Sequence, residues 1–306
     1  MSLILPLDLP AIQLLKKENI IVPLCDSSHD KHVLHLLLLN LMPLKINTET
    51  DFVRLLSNSP LSLKVDLLKI KNHISKNTSA EHMKKFYFDF DDIKNNYYDG
   101  LIVTGAPVEK ISFEEVHYWD ELTTIFEWAQ THVSSSLYIC WAAQAALYHF
   151  YGIPKYDLPE KMFGVFRHTL FDSSLPIFRG FDDEFYVPHS RHTEIRREDI
   201  LKVPNLTLLS ESDESGVYML MARNGKDFFI TGHSEYSPNT LADEYWRDKN
   251  KGLPISIPKF YFRDDDPTKE PIVRWRSHAN LLFSNWLNYY VNDEACNRDT
   301  NAAMFF

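Results

Sequence analysis

Leu137-Tyr138-Ile139-Cys140-Trp141-Ala142-Ala143-Gln144-Ala145-Ala146-Leu147 is the stretch that decides the fold. A β-leaning apolar run ends at a cysteine, and a helix-favouring run begins one residue later. A strand that stops at a nucleophile and turns sharply into a helix holds the reactive atom above a sheet edge. The helix N-terminus favours negative charge, which suits a thiolate. Further along, Phe228-Phe229-Ile230-Thr231-Gly232-His233-Ser234-Glu235-Tyr236 is a second strand-like run, ending in a histidine with a carboxylate two positions on. Positions two apart in an extended segment share a face, so Glu235 can orient the His233 ring. Cys140 as nucleophile, His233 as general base and Glu235 as its orienter point to covalent thiol catalysis of acyl transfer.

Other segments supply the sheet around this turn. Val33–Leu41 is a near-continuous apolar run, the pattern of a strand buried on both faces of a parallel sheet. Asn47 and Thr48 can cap a helix through Leu56, which Asn58-Ser59-Pro60 stops. Leu61–Ile70 reads as a second strand, His73–Lys85 as a polar connection and Gly100–Thr104 as a third strand. The third strand ends at Gly105-Ala106-Pro107, on the carboxyl edge where open α/β sheets bind ligands. Trp119–Thr131 is an amphipathic helix, followed by a strand over Leu137–Cys140. Asn224-Gly225 between Val217–Arg223 and Lys226–Thr231 signals a hairpin, so antiparallel strands join late. Tyr245–Arg247 lies in a helix, as does His278–Tyr290. The expectation is a single α/β domain over residues 1–306, with an N-terminal arm to residue 31 that carries a short helix around Ala11–Lys17, and a tail from 292. Its mostly parallel sheet is flanked by helices, and the Asp182–Pro188 loop and C-terminal helices wall the crevice.

Composition narrows the chemistry. The 306 residues carry a formal net charge of −10, a poor match to a nucleic-acid backbone. Cys25, Cys140 and Cys296 are odd in number and widely spaced, which supports neither a disulfide framework nor a zinc site. His189 and His192 could form a ligand pair, but no third ligand is implied, so no metal is expected. The apolar start lacks a basic leader region, and Val33–Met42 is too short to span a bilayer. The cytoplasm is the default compartment. No G-x-S-x-G elbow or glycine-rich phosphate loop occurs. Lys45, just after the first core strand, can reach the crevice as a cation for an oxyanion or a substrate carboxylate.

Several motifs together carry a family resemblance. They include Leu39-Asn40-Leu41-Met42-Pro43, Arg54-Leu55-Leu56-Ser57-Asn58-Ser59-Pro60 and Asp99-Gly100-Leu101-Ile102-Val103-Thr104-Gly105-Ala106-Pro107. Further along come Cys140-Trp141-Ala142-Ala143-Gln144-Ala145-Ala146, Tyr151-Gly152-Ile153-Pro154-Lys155, Pro188-His189-Ser190-Arg191-His192, Thr231-Gly232-His233-Ser234-Glu235-Tyr236 and Trp275-Arg276-Ser277-His278-Ala279-Asn280-Leu281-Leu282-Phe283. The chain thus resembles the homoserine O-acyltransferases of the homoserine transsuccinylase type, which in fold are similar to class I glutamine amidotransferases (flavodoxin-like). The resemblance implies a ping-pong reaction without a resident cofactor. Cys140 takes the acyl group from an acyl-CoA co-substrate, and His233 with Glu235 activates the hydroxyl of an amino acid. It further implies Lys45 as an active-site cation, Lys161, Ser190 and Arg247 as substrate contacts, and a homodimer.

In this family the position two after Gly-Ala-Pro separates succinyl from acetyl users, with glycine in succinyl enzymes. Here it is Glu109. A glutamate fills space and sets a like charge against a succinyl carboxylate, so acetyl-CoA is the expected donor. Asp51 stands where glutamine is usual, and Arg167 where glutamate is usual. These charge changes leave L-serine as an alternative acceptor to L-homoserine, since one methylene changes pocket binding by only about 1–3 kcal/mol. A thiol hydrolase or amidotransferase is the rival on the same fold, but Tyr138 and Ala142 stand where those enzymes usually place glycines. A non-catalytic binding protein is opposed by the intact Cys140, His233 and Glu235 set.

Overall fold

A computed structural model describes residues 3–6, 8–20, 33–71, 73 and 77–292. In chain order the elements are β1 (Leu3–Ile4), α1 (Pro10–Lys17), β2 (Leu34–Leu39), α2 (Lys45–Leu56), β3 (Leu63–Leu68), α3 (Ala80–Phe86), β4 (Tyr87–Phe88), α4 (Phe90–Ile93), β5 (Tyr98–Val103), α5 (Trp119–His132) and β6 (Val133–Ile139). They continue with α6 (Trp141–Tyr151), β7 (Tyr156–Leu170), β8 (Glu184–Glu194), α7 (Arg197–Ile200), β9 (Leu206–Ser212), β10 (Gly216–Ala222), β11 (Asp227–Ile230), α8 (Thr240–Asn250) and α9 (Arg276–Trp286).

One sheet runs in the order β1-β3-β2-β5-β6-β11-β10-β9-β7-β8, with β4 added on β3. From β1 to β11 each neighbouring pair is parallel. Beyond β11 the pairs are antiparallel. The parallel half places the carboxyl ends of β2, β5, β6 and β11 side by side on one edge. The late hairpin expected at Asn224-Gly225 forms between β10 and β11, through a turn with positive φ at Arg223, Asn224 and Gly225.

The leucine run explains the middle of the sheet. Leu36 and Leu38 enter the apolar layer on one face, with Phe52 and Trp286. Leu37 and Leu39 enter the opposite layer, with Phe126 and Trp141. A strand apolar on both faces is stable only between two layers of helix, and α2 with α9 on one side and α5 with α6 on the other provide them.

Some boundaries differ from expectation. Part of the expected arm is built into the fold: Leu3–Ile4 pairs with β3, and Pro10–Lys17 packs its apolar face inward through Ala11, Ile12 and Leu15. Helix α2 starts at Lys45, two residues before the expected caps, and its N-cap Leu44 makes no side-chain cap bond. Thr48 lies inside the helix and donates back to the Leu44 carbonyl at 3.2 Å. The expected polar connection contains α3, capped by Ser79, whose hydroxyl accepts from the His82 amide. The expected tail from 293 onward, Cys25 and Cys296 lie outside the described residues. Among the described residues no helix is long and apolar enough to cross a membrane.

Candidate active site

The end of β6 and the start of α6 meet at Cys140 with φ 53° and ψ −116°, in the region that side-chain-bearing residues avoid. The turn is held from both sides. The Cys140 amide donates to the Ile230 carbonyl at 2.6 Å, and its carbonyl accepts from the Ala143 and Gln144 amides at 3.1 and 3.2 Å. A strained backbone fixed in this way keeps the thiol aimed off the sheet edge.

His233 reaches the thiol from the loop after β11, the strand paired with β6. Its Nδ1–H donates to Glu235 Oε1 at 2.7 Å, which leaves Nε2 for Cys140, with which it hydrogen-bonds. The His233 and Glu235 side chains are 4 % and 9 % exposed, so little water screens the pair. Burial works against a charged ring, but the Cys140 thiolate and the Glu235 carboxylate outweigh it and hold the imidazole pKa well above 6.5. The three expected catalytic residues are therefore together, in hydrogen-bond sequence.

Two glycines make room for them. A Cβ on Gly105 would lie 3.2 Å from the Cys140 Cβ and 3.5 Å from His233 Cε1. A Cβ on Gly232 would lie 2.6 Å from Val187 Cγ1 and 3.0 Å from His189 Nε2. A side chain at Gly105 would crowd the elbow, and one at Gly232 would press the loop after β11 into Val187 and His189 of β8.

Glu109 also stands at the thiol. Its Oε1 is 4.0 Å from Cys140 Sγ, and its Oε2 accepts from the His192 amide at 2.9 Å. Burial raises its pKa, against the His192 amide and the charges of His233, Lys161 and Arg191. Arg191 itself is buried; its two terminal nitrogens donate to the Thr193 and Ser215 carbonyls, and its Nε has no hydrogen-bond partner among the described residues. No carboxylate hydrogen-bonds it among the described residues, so its charge is left to act on Cys140, Glu194 and Glu109 nearby.

A cavity of about 1700 Å³ opens over the elbow, and Cys140, His233, Glu235, Glu109, Lys161, Ser190 and Arg247 all line it. Lys161 Nζ and Ser190 Oγ converge on Glu244 at 2.7 and 2.8 Å. Arg247 pairs with Asp248 at 2.7 and 2.9 Å and reaches Glu244 at 3.5 Å. Glu244 is the hub that sequence reasoning missed. Its only signal was a helical spacing of three from Arg247.

Three expectations are corrected. Lys45 does not line the cavity. Its ammonium is buried, donates to the Asn40 carbonyl and lies near Glu49, and burial lowers its pKa to about 8 against the pull of that carboxylate. The helix begins at Lys45 itself, so the side chain turns back under the Asn40–Leu44 loop rather than into the crevice. Arg167 likewise lies outside the cavity, paired with Glu184 at 2.7 Å on an exposed part of the β7–β8 ribbon. Its charge reversal therefore has no bearing on the acceptor pocket. The Asp182–Pro188 segment does not wall the crevice, whereas Trp275, Arg276, Ala279 and Asn280 at the start of α9 do. His189 and His192, three apart in β8, fall on opposite faces, His189 against His168 at 3.1 Å and His192 on the cavity.

Asp51 does line the cavity. Burial pushes its carboxyl up to about 7, with Arg54 pulling it down and Glu235 and Glu18 adding to the rise. The unfolded chain releases this proton near 3.8, the ordinary aspartate value, so native stability falls as pH rises from there to about 7. Asp51→Asn removes that loss. Urea midpoints should show the variant gaining on the parent between about pH 4 and pH 7.5, by up to about 4 kcal/mol less whatever Arg54 gives up. Arg54 keeps Glu18 as a partner at 2.7 and 2.9 Å. A gap of equal size at both pH values would refute a raised Asp51.

Comparison with known proteins gives the fold and the family. The solved structures of glutamine amidotransferases from Thermotoga maritima and Methylobacillus flagellatus superpose with TM-scores of 0.54 and 0.50. They cover 85 % and 83 % of this chain, and 99 % and 93 % of their own, at 14 % and 12 % identity. At that identity the likeness shows the fold. Sequence relatives are much nearer. A protein of Parabacteroides distasonis named homoserine O-acetyltransferase is 68 % identical over 296 residues, 96 % of each chain. One of the same name from Clostridium novyi is 58 % identical, over 96 % of this chain and 98 % of that one. A sequence model of the homoserine O-succinyltransferase family matches residues 2–297. With that match spanning the sheet, the elbow and the cavity walls alike, the chain belongs to the homoserine O-succinyltransferase family.

Proposed function

We propose that this acyltransferase moves an acetyl group from acetyl-CoA to the hydroxyl of L-homoserine, a step of methionine biosynthesis. The observation that carries the donor is the Glu109 carboxylate, 4.0 Å from the Cys140 sulfur, where the tail of a longer diacid acyl group would project. The acceptor follows the relatives, which are named for homoserine and acetyl transfer.

The reaction runs in two halves. The Cys140 thiolate adds to the acetyl carbonyl carbon, and the carbon–sulfur bond to CoA breaks. The His233 imidazolium gives its Nε2 proton to the departing CoA sulfur. Exchange of one thioester for another is nearly balanced in energy, so acetyl-Cys140 can accumulate. Homoserine then enters, its hydroxyl proton passes to His233 Nε2, and its oxygen attacks the thioester. Cys140 leaves as thiolate, and the imidazolium is restored. Glu235 holds the Nδ1–H throughout, as the third member of a triad does. Trp141, the first residue of α6, has an amide without an intrahelical acceptor and serves the oxyanion beside Cys140.

Lys161, Ser190 and Arg247 bind the amino acid around Glu244. A carboxylate beside a guanidinium matches the charge pair of a zwitterion. No resident cofactor enters the reaction as drawn. The reading extends to a homodimer working in the cytoplasm, which light scattering and cell fractionation test.

The deciding assay is release of CoA with acetyl-CoA or succinyl-CoA crossed against L-homoserine or L-serine. Turnover confined to acetyl-CoA with homoserine supports the proposal. Serine as the better acceptor moves the product to cysteine synthesis, and preference for succinyl-CoA overturns the role of Glu109.

A further inference from the structure

The aromatic ring of Tyr236 lies flat against the His233 imidazole, with centroids 4.2 Å apart and planes 11° apart. Its backbone is held on both sides. The Tyr236 carbonyl accepts from the buried Trp275 Nε1 at 2.9 Å, and its amide donates to the His233 carbonyl at 3.3 Å. The opposite side of this loop is fixed by Glu235 on Nδ1. The imidazole is thus held at its edge by a carboxylate and on its face by a π-system. The face of an aromatic ring is electron-rich and attracts a cation placed over it.

We propose that Tyr236 is a positioning residue whose ring face stabilises the His233 imidazolium and, with it, the charged form of the Cys140–His233 pair. The inference rests on the assignment of Cys140 and His233 above. A stacked cation gains roughly 3- to 10-fold in its equilibrium from such a face. The hydroxyl has a separate place. Burial and the charges of Glu244, Glu235, Cys140 and Glu109 hold its pKa well above 10, so it remains a neutral donor.

Other charged groups also bear on the pair. Glu235 and Cys140 are in contact with the His233 ring. Glu109 faces it from the β5 loop, and buried His189, held well below 6.5 by desolvation first, faces it from β8. Arg191 of β8 acts on Cys140, and Asp51 of α2 acts on Glu235. Glu244 of α8 acts on the tyrosine. Substitution of Tyr236 leaves all of these charges in place, which makes the ring separable from them.

The test is the pH dependence of Cys140 alkylation by iodoacetamide, which needs neither acyl donor nor acceptor. Tyr236→Leu should raise the alkylation midpoint by about half to one pH unit and lower kcat/KM about 3- to 10-fold. Tyr236→Phe keeps the ring and should keep the midpoint. An unshifted Leu variant, or a Phe variant shifted as far as Leu, overturns the inference. If the unaltered chain alkylates like a free thiol and His233→Asn changes nothing, the catalytic assignment itself fails and this inference with it. A further readout needs no Leu variant. In histidine-labelled protein the His233 ring protons, assigned with His233→Asn, should be displaced upfield by the tyrosine ring current in both the parent and the Phe variant. Ordinary shifts there would mean that the stack is absent in solution.

Discussion

Cys140→Ser should reduce acetyl transfer by at least about 10³-fold and abolish the acetylated form of the protein. Serine matches cysteine in shape, and the backbone bonds from Cys140 to Ile230, Ala143 and Gln144 do not involve the side chain. The turn should therefore survive the exchange, and the loss is chemical. A thiol ionises readily beside an imidazole, whereas a hydroxyl stays protonated and needs its proton removed during attack. The site is built for the first case, with the thiolate and Glu235 holding His233 charged. In the serine variant that thiolate is gone, and attack must wait for proton transfer from a hydroxyl that is a far weaker acid. Mass spectrometry after mixing with acetyl-CoA alone should find one acetyl group on the parent and none on Cys140→Ser. Acetylation of the serine variant at the parental rate would show that another residue carries the acyl group.

Much of this site was legible in the chain because the fold is written in short-range patterns there. A leucine run without alternation fits only a strand covered on both faces, and the Leu36–Leu39 side chains do divide between two apolar layers. The Cys140 turn was readable for the same reason. The His233–Glu235 pairing was expected from extended chain, but it forms in a turn that the Tyr236 amide closes on the His233 carbonyl at 3.3 Å. Lys45 was not. Its position after β2 was right, but its direction depends on where α2 starts, and that is decided by packing rather than by a cap. The start at Lys45 turns the ammonium toward Asn40 and Glu49. Glu244 escaped notice because its partners Lys161 and Ser190 come from β7 and β8, 83 and 54 residues away. Nothing local in α8 marks a carboxylate that three elements meet at. The Arg167 error has the same root: a motif neighbour in sequence can stand on the far face of a ribbon.

Glu109→Gly should raise the kcat/KM ratio of succinyl-CoA to acetyl-CoA by about 10²- to 10³-fold. Two unit charges 4 Å apart repel by about 4 kcal/mol at an effective dielectric constant of 20. Glu109 stands that close to the reacting sulfur, so a succinyl carboxylate extending from Cys140 meets both its charge and its volume. Three features make glycine a clean replacement. The backbone of this loop is anchored independently, since Lys155 Nζ donates to the Glu109 and Ile111 carbonyls at 2.5 and 2.6 Å. The His192 amide, which now donates to Glu109 Oε2, would lose its acceptor and be free to take the donor's carboxylate. Lys161 and Arg191, whose charges now act on Glu109, would act on that carboxylate instead. Glu109→Gln separates the two obstacles, because it keeps the volume and removes the charge. If repulsion dominates, glutamine admits much of the succinyl donor. If space dominates, only glycine does. An unchanged donor ratio in the glycine variant would place acyl selection elsewhere in the cavity and withdraw Glu109 from that role.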